Sequence, residues 1–153
     1  MDAAQETFIS STFWTERLGF VAALKTIEIL VEHKVWEHLQ LIGEKIGQGW
    51  MVLAKKHDIN LKVTDFKPLI SFKLNYGGLN SVILTLFIQE MLKRGYLTTS
   101  SIYVSYAHTN AIIDRYLANV DEVFSIIKNG LMNDTLFDLL ETAVKDDGFK
   151  RLN

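Results

Sequence analysis

Three hydroxyls in a row, Ser10-Ser11-Thr12, lead through Phe13-Trp14-Thr15-Glu16-Arg17-Leu18-Gly19 into the apolar run Phe20-Val21-Ala22-Ala23-Leu24. The segment reads as extended chain turning into a helix. Such a turn leaves free backbone N–H groups beside the hydroxyls at the positive end of a helix dipole, an arrangement that binds phosphate or carboxylate. Ordinary helix capping uses the same residues, and the pattern alone leaves both readings open. No histidine or acid accompanies the serines in a nucleophile-elbow pattern, which argues against nucleophilic catalysis.

The four histidines do not form a metal set. His33 and His38 are five residues apart and face different sides of a helix, and no HExxH pattern occurs. His57 falls at a helix end, where a partial positive charge is favourable. His108 stands beside Thr109 at a strand-to-helix junction, where a structural hydrogen bond and a catalytic role are both open. The carboxylate pairs Glu32 with Glu37, Asp121 with Glu122 and Asp146 with Asp147 read as solvating charges, since nothing in the sequence places a group to shift their pKa. With no cysteine, disulfides, thiol catalysis and thiolate metal sites are excluded.

The elements that would position these groups follow from periodicity. Phe20, Ala23, Leu24, Ile27, Leu30 and Val31 recur at three and four, predicting a helix from Thr15, its N-cap, to about Lys34. A second helix, about Val35 to His57, carries Val35, Leu39, Ile42, Ile46, Trp50 and Leu53 on one face. Gly43 and Gly47, one turn apart on it, suggest close backbone packing. Leu61–Thr64 and Leu69–Leu74 alternate as strands. After the turn Asn75-Tyr76-Gly77-Gly78, the residues Val82, Ile83, Leu86, Phe87, Met91 and Leu92 line a helix stopping at Gly95. Ile102–Tyr106 predicts a third strand. Thr109 caps a helix striped by Ile113, Tyr116, Leu117, Val120, Phe124 and Ile127 and closed by Gly130. A last helix is expected over Leu136–Val144.

The expected fold class is therefore α/β in the α+β sense, a small sheet of about three strands covered by helices with a long N-terminal helical arm. Within one domain of 153 residues, 1–14 form the extended arm, 15–57 the helices, 58–145 an α/β sandwich and 146–153 a tail. The chain is 48% hydrophobic, 22% charged and carries a net charge of −2 with no block of like charge, which makes nucleic acid a poor partner. Its apolar runs fall far short of the ~20 residues of a membrane helix, and no signal peptide opens it, so a soluble, cytoplasmic protein is expected.

The stretch SSTFWTERLGFVAAL resembles a region of class III pyridoxal-phosphate enzymes, above all those similar to glutamate-1-semialdehyde 2,1-aminomutase, that follows the active-site lysine and leads into the C-terminal domain. YVSYAHTNAIIDRYL resembles the family's strand–His-Thr–helix segment, and GFKRL the ending of some members. The resemblance implies the C-terminal domain of a fold-type I aminotransferase or aminomutase. It implies pyridoxal 5'-phosphate as cofactor, a homodimer, and a small amino, keto or aldehyde substrate. Thr12 matches the threonine that reaches the phosphate of the cofactor held by the other subunit. The family's Schiff-base lysine lies upstream of this turn, and no lysine here matches it, so the chain is expected to be a C-terminal piece inactive alone. An aminotransferase for a sugar or another aldehyde or ketone, and a non-enzymatic interaction module, are the alternatives.

Overall fold

Arg17, Lys25, Glu28 and Glu32 share one narrow side of the first helix, α1 (Arg17–Glu32), and apolar residues take up most of the rest of its circumference. A computed structural model describes residues 16–145. The chain divides into two compact units after Val35. In the first, Leu18, Val21 and Ile29 lie on α1 outside the expected stripe, and none of the helix residues is buried. The helix begins at Arg17, with Glu16 in the cap position and making no side-chain cap bond. That corrects the start predicted at Thr15. Thr15 itself, like Ser10, Ser11 and Thr12, lies outside the described residues, as does the tail from Asp146. Lys34, at φ 45°, separates α1 from α2, Val35–His57.

In the second unit, Ile42, Ile46, Trp50 and Ala54, four residues apart on α2, form one buried ridge. Glu37 in the first turn and Lys55, Lys56 and His57 in the last suit the helix dipole. Strands β1 (Leu61–Val63), β2 (Leu69–Leu74) and β3 (Ser101–Tyr103) form antiparallel pairs in the order β1-β2-β3, with Val63 opposite Phe72 and Ile70 opposite Ile102. Alternation on the central strand buries Ile70 and Phe72. A 3-10 turn at Gly77–Leu79 enters α3, Asn80–Lys93, and α4 covers Asn110–Asn133. An aromatic series then crosses the core, edge-to-face at its first two contacts and tilted at the third. Trp50 meets Phe72 at 5.0 Å, Phe72 meets Phe87 at 5.5 Å, and Phe87 meets Phe124 at 6.1 Å, joining α2, β2, α3 and α4.

The α+β class and the three-stranded sheet are as expected, with four corrections. β3 ends at Tyr103 rather than Tyr106, because the chain turns at Ser105. Leu92, expected on the α3 stripe, is 57% exposed. Gly130 lies inside α4, which runs on to Asn133. The expected helix over 136–144 is a series of turns, held by Asp138 and Leu139 donating to the Thr135 carbonyl.

Three helix ends share one geometry. After α2, Asp58 N–H donates to the Lys55 carbonyl and Ile59 N–H to the Ala54 carbonyl, with Asp58 at φ 55°. After α3, Gly95 (φ 83°) donates to Leu92 and Tyr96 to Met91; after α4, Thr135 donates to Gly130 past Asp134 at φ 55°. These are Schellman endings, in which a left-handed residue lets the chain satisfy the last carbonyls.

Candidate functional site

Ser105 and His108 close the turn between β3 and α4 with a reciprocal pair of bonds. The His108 N–H donates to the Ser105 carbonyl at 3.1 Å, and the Ser105 N–H donates to His108 Nδ1 at 3.0 Å. A ring nitrogen that accepts carries no proton, so the neutral imidazole bears its hydrogen on Nε2. The Thr109 hydroxyl accepts from the Ile112 N–H at 3.3 Å, the cap expected from sequence. From α2, His38 Nε2 donates to the His108 carbonyl at 3.0 Å and its ring meets Tyr106 edge-on at 5.2 Å. The structure thus gives His108 a structural bond through Nδ1 and brings to it a histidine that spacing alone left unassigned.

Beside this turn lies a cavity of about 520 Å³ lined by Leu97, Thr98, Thr99, Ser101, Ile102, Tyr103 and His108. It adjoins a slot of about 120 Å³ that reaches Tyr96, Ile112, Ile113 and Tyr116 and shares Leu97, Thr98, Ile102 and His108. At the inner end the Tyr116 hydroxyl accepts from Trp50 Nε1–H at 3.1 Å and partners the Thr98 hydroxyl. Burial pushes the Tyr116 phenol up to about 12. Sequence reasoning passed over Thr98, Thr99 and Ser101. The signal was present in the hydroxyl run Thr98-Thr99-Ser100-Ser101 just before β3.

The carboxylates are less idle than expected. Asp121 of α4 receives Lys56 Nζ and His57 Nε2, each at 2.6 Å, which hold its carboxyl below the usual range. Glu122 receives Arg94 Nε at 3.2 Å. Glu90, nearly buried, is pushed up by burial but held down on balance by Lys93, Gln89 and Arg94. The Asp121 and Glu122 ties join elements, those of Glu90 are local to α3, and Asp121 also borders a groove of about 560 Å³ between α2 and α4 whose lining includes Leu41, Val52, Leu53 and Leu117. Among the described residues, no three metal-ligating side chains gather, and no helix is long and apolar enough to cross a membrane.

The described residues do not fit pyridoxal phosphate. A Schiff-base lysine must present an unprotonated amine inside a pocket. Instead Lys45 pairs with Asp114 at 2.6 Å, Lys56 with Asp121, Lys67 with Glu44 at 3.0 Å, and Lys128 with Asp58 at 2.7 Å. Carboxylate partners push the Lys67 and Lys93 ammonium groups further up. No described lysine is buried. Thr12, the one residue implied as a cofactor contact, lies outside the described residues.

No family model matches the chain. It is 26% identical over 132 residues to a 3-aminobutyryl-CoA aminotransferase of Cloacimonas acidaminovorans, covering 84% of this chain and 32% of that protein. To a 2'-deamino-2'-hydroxyneamine transaminase of Streptomyces kanamyceticus it is 22% identical, covering 77% of this chain and 31% of that one. An aminopentol aminotransferase of Sphingopyxis macrogoltabida is 24% identical, with 82% and 30% covered. The fold matches part of the FumI protein of Sphingopyxis sp. MTA144, solved in its PLP internal aldimine form. The TM-score is 0.76 at 22% identity, over 91% of this chain and 34% of that one. The chain spans about a third of the length of these relatives; its sequence is similar to those of aminotransferases and its fold to that of part of FumI.

Proposed function

We propose that this chain is the C-terminal domain of a pyridoxal-phosphate-dependent aminotransferase. The observation that carries the reading is the agreement of three aminotransferase relatives over 77–84% of this chain with the fold of FumI over 91% of it. In this reading the cofactor supplies the chemistry of amino-group transfer from residues outside those described, in a homodimer. The domain's share is to border the substrate cleft, and Thr12 donates to the phosphate of the partner subunit's cofactor. Amino-group transfer between two molecules is favoured over 2,1-aminomutase chemistry because the relatives are named aminotransferases or transaminases. The aminomutase reading, with glutamate 1-semialdehyde as substrate, rests on the sequence resemblance.

Two measurements test this. Pyridoxal phosphate and borohydride added to the purified chain are expected to leave no label at any single lysine; stoichiometric label at one site overturns the reading. A chimera in which this chain replaces the aligned third of FumI is expected to keep bound cofactor and amine-dependent turnover. A folded chimera that loses both also overturns it.

A further inference from the structure

We propose that the cavity beside the β3–α4 turn binds the uncharged, hydroxylated part of a small molecule, with Thr98, Ser101 and His108 as its recognition groups. The lining contains four side-chain hydroxyls and one imidazole, and no lysine, arginine, aspartate or glutamate. An anion would call for cationic or purely donating walls, and an ammonium group for a carboxylate. Hydroxyl groups, which donate and accept at once, are matched by other hydroxyls.

Two of the groups are held in place from behind. Thr98 is tied to Tyr116, whose hydroxyl already takes the Trp50 N–H, and its own hydroxyl donates to the Thr99 carbonyl at 3.3 Å. Thr98 is thereby left with acceptor capacity. His108 is fixed by Ser105 as an Nε2–H donor. Recognition groups whose orientations are set before binding lose little entropy on taking a ligand. The adjoining slot, walled by Ile112 and Ile113, supplies an apolar continuation for a short alkyl portion.

The inference rests on the aminotransferase reading only in treating the ligand as a small molecule, and it names the class as a hydroxyl-bearing amine or carbonyl compound whose charged end lies elsewhere.

The test is amide NMR of the chain titrated with octyl glucoside below its micelle concentration, with octanoate and octylamine as probes of the same tail. Saturable shifts are expected at Thr98, Thr99, Ser101 and His108 with the glucoside, at least about fivefold tighter than with either charged probe. Ser101→Ala and Thr98→Val should each weaken it about tenfold, the worth of one good hydrogen bond. Ser101→Ala, half-exposed at the cavity, serves if Thr98→Val alters the fold. Absence of shifts at these amides, or equal response to all three probes, overturns the proposal. The borohydride and chimera experiments do not involve this ligand, so either reading can fail alone.

Discussion

Gly43 of α2 lies against the backbone carbonyl of Lys67, with no room for a β-carbon between them. Lys67 leads through Pro68 into β2, so this contact sets how closely the central strand's entry sits on the helix. At Gly47, one turn on, a β-carbon would meet only the Ile70 and Val63 side chains, at 3.2 Å. Gly43→Ala must move backbone and is expected to cost about 2–3 kcal/mol. Gly47→Ala sets a mild crowding against the helix propensity alanine restores, and should stay within about 1 kcal/mol of the parent. Urea melts of the two variants measure the difference; equal effects would mean that the Lys67 carbonyl yields freely.

Tyr116 sets the alkaline limit of the core. Burial raises its phenol from 10.0 to about 12, so the folded chain binds this proton more tightly than the unfolded one. The resulting stability is complete below the unfolded value near 10 and is lost as pH climbs toward 12. Tyr116→Phe removes that alkaline loss. It also leaves the buried Trp50 N–H without its acceptor, at a cost of about 1–3 kcal/mol at neutral pH. Melting temperatures at pH 7 and pH 11 are therefore expected to converge in the variant and diverge in the parent.

Asp121 shapes the acid side. Lys56, and then His57, hold its carboxyl below 3.8. A lowered folded value gives stability that is present above the unfolded pKa and lost as pH falls through the folded one. The side chain is about a third exposed, so screening limits the contribution to less than about 1 kcal/mol. Asp121→Asn should show a smaller stability loss between pH 5 and pH 2.5 than the parent. Parallel acid limbs would place the linkage elsewhere.

What was legible in the sequence was what periodicity and caps encode. The ridge on α2, the alternation of Ile70 and Phe72, and the Thr109 cap are local patterns, and the structure has them. Contacts between elements were not legible. Asp121 looked solvated because Lys56 and His57 lie some 64 residues earlier, and His38 and His108 are 70 apart. The hydroxyls of Thr98 and Ser101 gain meaning only once Tyr116 and His108 stand beside them. For Thr12 the local pattern offers an anion site or a helix cap, and the phosphate of a partner subunit's cofactor is implied by the resemblance alone.

The helix ends show how a correct rule was applied to the wrong residue. Glycine ends helices because it enters the left-handed region without strain. Gly95 does so after α3, but Gly130 stays helical because Leu136 and Leu139 fold back onto it, with atoms 2.9 and 3.1 Å from where a β-carbon would lie. The left-handed position of α4 falls to Asp134. Asp134→Gly is therefore expected to stabilise the chain by up to about 1 kcal/mol, and Gly95→Ala to destabilise it by about as much. Asp58 is a poorer test of the same geometry, since its carboxylate also takes Lys128 at 2.7 Å. Thermal melts of the two single variants should move in opposite directions. Destabilisation by Asp134→Gly would mean that the aspartate side chain, rather than the backbone turn, holds the end of α4.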